Sequence, residues 1–344
     1  MKNIFTTTPT KAKPLLEKCI KTGLVPFLQS SPGIGKSSII KQIASEYNLE
    51  VIDLRLSMCS PEDLNGLPRF KDNKAEFVPF ALFPLADTPV PEGKDGWVLF
   101  LDEFNSASRS VQAACYKLIL DRQVGMYPLH PKTALVAAGN LTTDHAITNQ
   151  LSTAMQSRLV QLKLEPSLED WMTNVAIPQK YDERIISFLN FSSDSLMRFE
   201  PEKQAESPHP FPCPRTWEFV DKLIKDEDDL ERLVPLLAGT IGEPDAISFV
   251  QFAGIYQNLP KLKDILSGKV DKVPSDTPTQ WAVLTNLAIN TDMDNFKKVL
   301  DYVDKFSLPL QIVYMNSVVQ YTPEILTHPA YAKKGVQTLN YLRN

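Results

Sequence analysis

The chain has 344 residues, 43% hydrophobic and 22% charged, an ordinary globular composition long enough for more than one domain. Its net charge of −5 provides no global basic field for nucleic acid, and no apolar run of roughly 18 residues suggests a membrane span or secretion signal. Four scattered cysteines (Cys19, Cys59, Cys115, Cys213) form no C-x-x-C pair and read as reduced thiols of a cytoplasmic protein; the four histidines lack metal-ligand spacing.

Taken in chain order, a helical pattern over 9–22 precedes an apolar run at 24–29 that reads as a strand. This strand runs into Ser30–Ser37, SSPGIGKS, and then into helical spacing over 36–47. Strand, glycine-rich loop and helix together describe a polyphosphate cradle built from Ser31, Pro32, Gly33, Ile34, Gly35, Lys36, Ser37 and Ser38. Gly33 and Gly35 let the backbone curl so that its N–H groups face inward. Lys36 supplies a cation for the outer phosphates, and the Ser37 hydroxyl can ligate Mg²⁺. Ser30 stands where the usual pattern has its first glycine, and the sequence offers no reason for it.

A second strand is expected over 49–56 and a third over 97–101, which ends in Asp102-Glu103. Its continuous apolar run suits a strand buried on both faces. Two carboxylates at its end suit chemistry better than packing. Asp102 can hold the Mg²⁺ hydration shell and Glu103 can polarise a water against the γ-phosphate; a pair of solvated acids is the plainer alternative. Between these strands, residues 61–95 are too long for an ordinary connection and contain a hairpin pattern around Asp72-Asn73. A helical pattern over 107–121, a second hairpin-like insert at 121–134, and strands at 133–138 and 159–164 complete an α/β region with a parallel sheet. Pro166 closes it. Beyond lies a helical region, with Phe296, Val299, Leu300 and Val303 at helical spacing and a proline-rich stretch, 198–214, that reads as an extended loop. The expected division is 1–165 and 166–344.

The ordered motifs LDEFNSA (101–107), SVQAA (110–114), LDRQVG (120–125), VAAGN (136–140), QSRL (156–159) and PRTWE (214–218) resemble those of MoxR-type AAA+ ATPases over about residues 10–225. The resemblance implies an AAA+ P-loop NTPase core followed by an all-helical lid and C-terminal region, and ATP with Mg²⁺ as ligands. It implies that Asn140 is the polar sensor of the γ-phosphate, that Arg158 is an arginine finger acting on a neighbouring subunit's nucleotide, and that Arg215 is the lid sensor. The residues alone leave plainer readings open: a Gly-Asn turn for Asn140, a helix-end cation for Arg158 and a helix-start residue for Arg215. Arg109 reads as a solvated or interface residue. Ser106 stands where the family often has arginine, which leans toward the group found beside von Willebrand factor A-domain proteins.

On this resemblance the chain is an ATPase that forms a ring, with a hexamer as the expected form, and remodels or assembles a protein client. A von Willebrand factor A-domain protein is the first candidate client. No N-K-x-D pattern favours GTP. Two other readings stay open: a nucleic-acid motor or loader, disfavoured by the acidic charge, and a nucleotide-gated scaffold with little turnover, disfavoured by Asp102, Glu103 and Asn140.

Overall fold

The structure, a computed structural model, describes residues 6–144, 149–256 and 258–342. In chain order its first part comprises β1 (Thr6–Thr7), α1 (Pro9–Lys21), β2 (Val25–Ser30), α2 (Lys36–Glu46) and β3 (Leu49–Arg55). Next come α3 (Pro61–Asn65), a hairpin of β4 (Leu67–Lys71) and β5 (Lys74–Val78), then β6 (Gly96–Asp102) and α4 (Arg109–Leu120). A two-residue-per-strand hairpin of β7 (Gln123–Val124) and β8 (Tyr127–Pro128) precedes β9 (Thr133–Asn140), α5 (Thr153–Gln156) and β10 (Leu159–Leu164).

Six strands pair in parallel in the order β1-β10-β2-β9-β6-β3. Five of them are the apolar runs anticipated from the sequence. The sixth, β1, is two residues long, too short to show any periodicity, and exists because Thr6 and Thr7 pair with Lys163 and Leu164. The central strands are apolar on alternate residues of both faces. Phe27, Leu99, Leu101, Leu135 and Ala137 join Val111, Cys115 and Leu118 of α4 in one core cluster. Leu28, Val98, Phe100, Val136 and Ala138 are equally buried on the opposite residues of these strands, and α1 and α2 pack against the sheet. Both faces are therefore covered, as a parallel sheet requires.

The chain divides into two compact units, Met1–Ser167 with Phe199–Pro208, and Leu168–Arg198 with His209–Asn344. The 198–214 stretch is not simply a loop: it contains α8 (Pro201–Glu206), because Pro201 sits in the first helical turn, where its missing N–H costs nothing. This helix follows α6 (Leu168–Trp171) and α7 (Glu183–Phe191) and packs on the turn Thr142–Asp144 of the first unit. The rest of the second unit is helical among the described residues: α9 (Pro214–Ile224), α10 (Val234–Ile241), α11 (Glu243–Tyr256), α12 (Leu262–Leu266), α13 (Thr277–Ile289), α14 (Phe296–Val303), α15 (Leu308–Tyr321) and α16 (Pro329–Leu342). The spacing Phe296, Val299, Leu300, Val303 is the buried face of α14.

Trp217 anchors the second unit. It is fully buried, packs edge-on to Phe249 and near Phe188, and its indole N–H donates to the Ser195 carbonyl at 2.8 Å. Trp217→Ala should cost about 3–5 kcal/mol of that unit's stability by urea unfolding, because it opens a cavity and orphans a carbonyl. A loss below about 1 kcal/mol would show that the cluster does not hold this unit together.

Candidate nucleotide site

The site forms where β2, β9 and β6 end side by side. Ser30 pairs with Asn140 in register, and Leu101 pairs with Ala137, so the residues after all three strands meet at one edge of the sheet. From β2 the backbone turns through Gly33 (φ 80°) and Gly35 (φ 102°), left-handed conformations that favour glycine, and enters α2 at Lys36. No side chain caps this helix start, so its first-turn N–H groups are available to an anion.

Lys36 Nζ donates to the Ser30 carbonyl at 3.1 Å, to Ser30 Oγ at 2.9 Å and to Asn140 Oδ1 at 3.2 Å. This accounts for the serine. Ser30 is the last residue of β2, fully buried, and is not among the residues with positive φ, so a glycine is not required there. Its hydroxyl donates to the Ser31 carbonyl at 2.8 Å while accepting from Lys36.

Across the edge, Ser37 Oγ donates to Asp102 Oδ2 at 3.3 Å. The other oxygen, Oδ1, accepts the Glu103 N–H at 2.8 Å. Glu103 itself is left-handed (φ 54°, ψ 33°), an arrangement that costs a non-glycine residue about 1–2 kcal/mol. Its carboxylate accepts from the Ser57 hydroxyl, which follows β3. Asp53 of β3 has its carboxyl pushed above the ordinary range, by burial first and then by Asp102.

Two further residues of the site carry no signal of it in the sequence. Ser57 belongs to no pattern that would single it out. Asn105 lies in the LDEFN motif, and its role is visible only in three dimensions. Its Nδ2 donates to the Asn140 carbonyl at 2.7 Å and its Oδ1 accepts the Asn140 N–H at 3.1 Å, so one buried amide clamps the end of β9 from both sides. The neighbouring Gly139 leaves room for it: a Cβ there would stand 2.2 Å from Asn105 Oδ1. Asn149 continues the connection, its N–H donating to the Asn105 carbonyl at 2.6 Å and its Nδ2 to the Ala107 carbonyl at 2.8 Å.

The structure thus brings together Lys36, Ser37, Asp102, Glu103 and Asn140. Arg158 is elsewhere. It precedes β10, whose Leu159 pairs with Val25, so it flanks the amino end of β2, while the phosphate loop leaves the carboxyl end. Six residues of strand put about 20 Å between these edges. Arg158 is exposed, and its Nη1 donates to the Ala154 carbonyl at 2.5 Å and to Ser157 Oγ at 3.3 Å. Arg215 is exposed in the first turn of α9, in the second unit, and Arg109 is exposed at the start of α4.

Residues 27–159 match the family model of the AAA domain, dynein-related subfamily. Over this span the chain is similar to an AAA domain. No curated protein matches the sequence. Solved structures match at low identity and low TM-score. A Cytophaga hutchinsonii ATCC 33406 protein provisionally assigned as an ATPase is 16% identical, with 68% of this chain and 81% of that one covered and a TM-score of 0.35. The RuvB Holliday junction branch migration motor of Thermotoga maritima is 16% identical over 95% of this chain and 86% of its own, with a TM-score of 0.31. Brucella abortus NtrX in complex with ADP is 14% identical over 96% and 68%, with a TM-score of 0.33.

The Asn105 clamp can be tested by substitution. Asn105→Ala should cost about 2 kcal/mol or more, since it leaves the Asn140 N–H and carbonyl unpaired. Gly139→Ala should be comparably harmful, because its methyl collides with the Asn105 amide. The double variant should cost clearly less than the sum, because truncating the amide removes that collision. Strict additivity in denaturant unfolding would refute the clamp.

Proposed function

We propose that this protein is an ATP-hydrolysing AAA+ protein of MoxR type, acting in the cytoplasm as a ring oligomer, a hexamer, to remodel or assemble a protein client. The observation that carries the reading is the convergence of Lys36, Ser37, Asp102, Glu103 and Asn140 on one sheet edge beside an uncapped helix start. The client is proposed from sequence resemblance alone, with a von Willebrand factor A-domain protein as the first candidate.

In this reading the backbone N–H groups of Ser31–Ser38 cradle the phosphates. Lys36 exchanges its contacts with Ser30 and Asn140 for phosphate oxygens, which frees the Asn140 amide to hold the attacking water or the γ-phosphate. The adjacent Ser37 hydroxyl and Asp102 carboxylate are hard oxygen donors that suit Mg²⁺, an ion that completes its shell with phosphate and water rather than an all-protein cage. When bound, the metal neutralises charge on the β- and γ-phosphates. Glu103 orients a water and accepts its proton as the water oxygen bonds to the γ-phosphorus and the bond to the ADP oxygen breaks. For that, the carboxylate leaves the Ser57 hydroxyl that now donates to it. Arg158 supplies a guanidinium to the nucleotide of an adjacent subunit, and Arg215 does the lid sensor's work in its own chain.

Glu103→Gln should bind ATP and lose at least about a hundredfold in phosphate release. Unchanged release would remove Glu103 from the base role. Arg158→Ala should fall about a thousandfold. Mixing it with Lys36→Ala should restore activity above either variant alone, since each contributes the half that the other lacks. A wild-type monomer hydrolysing ATP at the full rate, or a mixture with no recovery, would sink the ring reading.

A further inference from the structure

The hairpin of β4 and β5 takes no part in the chemistry above. Its turn is a tight one: Asp72 (φ 49°) and Asn73 (φ 57°) are both left-handed, as a two-residue hairpin turn requires. The register places Leu67, Arg69, Lys71, Lys74, Glu76 and Val78 on one face, where Arg69 Nε donates to Glu76 Oε1 at 2.9 Å. The opposite face carries Pro68, Phe70, Ala75 and Phe77, all apolar. It is bare: Phe70 is 83% exposed and Phe77 49%. The turn of the second hairpin lies beside it, since a Cβ on Gly125 would stand 3.7 Å from the Phe77 Cβ, and the next residue, Met126, is 74% exposed. Among the described residues no third strand pairs with β4 or β5, so unpaired backbone donors and acceptors flank the apolar face. At the tip Lys71 stands directly opposite Lys74, a like-charge pair that disfavours the hairpin. No acid among the described residues forms an ion pair with either lysine.

We propose that this hairpin binds an extended protein segment as a third strand, with apolar residues at alternate positions against Phe70 and Phe77 and an acidic end at Lys71 and Lys74. Each feature selects a part of that partner. The open edges offer a backbone hydrogen-bond ladder, which only another extended chain can complete. Phe70 and Phe77 share one face, so alternate side chains of an added strand reach them. A two-stranded hairpin is marginal alone, and a third strand sharing its apolar face stabilises it. The lysine pair, repulsive as it stands, becomes favourable once an acid lies against it. Single-stranded nucleic acid also stacks on phenylalanine. Residues 67–78, however, hold three cations against two acids, and Arg69 is already paired with Glu76, which leaves no basic track for a phosphate backbone. The proposal gives the protein client proposed above a chemistry and rests on the partner being protein; it does not depend on ATP hydrolysis or on a ring.

The test uses the full chain without nucleotide and labelled peptides of alternating valine and threonine, ending in two aspartates or in two lysines, read by fluorescence anisotropy. The aspartate peptide should bind at least about tenfold more tightly than the lysine peptide. Charge reversal of the tip by Lys71→Glu with Lys74→Glu should invert that preference, an outcome that a merely structural role for the lysines would not produce. Phe70→Ser with Phe77→Ser should weaken both peptides by at least about tenfold. Methylating alternate backbone nitrogens of the aspartate peptide should abolish its binding, because the ladder loses its donors. Both lysines are exposed, so the charge-reversed variant decides the matter if the phenylalanine variant does not fold. Wild type binding neither peptide, a preference untouched by charge reversal, or full binding of the methylated peptide would each overturn the strand addition. An oligothymidylate that binds more tightly than the aspartate peptide, and is lost with the two phenylalanines, would overturn the reading of the partner as protein. Every readout is free of nucleotide, so these failures leave the ATPase reading standing.

Discussion

The register of three parallel strands is the constraint on which the site depends. Pairing of Ser30 with Asn140 makes β2 and β9 end level, and pairing of Leu101 with Ala137 ends β6 beside them at Asp102, opposite Ala138, so that the loop from each starts at the same edge. Shifting any strand by one residue would exchange the side chains of its two packed faces, so that neither core fits, and would displace its polar end residue from the edge. The cost of such a shift is high because alternate residues on both faces are buried. Core packing and site geometry are therefore set by the same pairings, and the Asn105 amide adds a local lock by bonding both backbone groups of Asn140.

With the strands fixed, the polar groups at the edge arrange themselves around one cation. Lys36 is satisfied by Ser30 and Asn140, Ser37 by Asp102, and Glu103 by Ser57, so each candidate group has a protein partner that a ligand must displace. Displacement is feasible because these are hydrogen bonds at the rim of a sheet, each worth only about 0.5–3 kcal/mol net, whereas a polyphosphate offers several charged oxygens at once. The left-handed Glu103 is held by its own N–H bond to Asp102. Strain at the proposed base and the orientation of the proposed metal-holding carboxylate thus share one hydrogen bond.

Much of this was legible in the sequence, for physical reasons. Strands buried on both faces appear as unbroken apolar runs, and a loop that must curl around phosphate needs glycines at Gly33 and Gly35, so β2, β6 and the cradle stand out. Ser30 did not explain itself, because its function is to accept from a lysine six residues ahead rather than to adopt a special backbone shape. Ser57 and Asn105 act across strands, at 46 and 35 residues from their partners, where no local periodicity exists to show them. Two-residue β1 and the short α8 lie below the length at which a pattern repeats.

The polarity of a parallel sheet has a consequence for Arg158 that composition and motif order do not contain. All six strands point the same way, so everything after β2, β6 and β9 gathers at the carboxyl edge, and whatever precedes β10 stays at the amino edge. A guanidinium side chain reaches about 7 Å, far short of the roughly 20 Å length of β2. Arg158 therefore cannot serve the phosphates cradled within its own domain while this sheet is intact. If it acts on nucleotide at all, it acts on a second copy's. The finger and the oligomer are a single proposition, and the register of β10 with β2 ties them together.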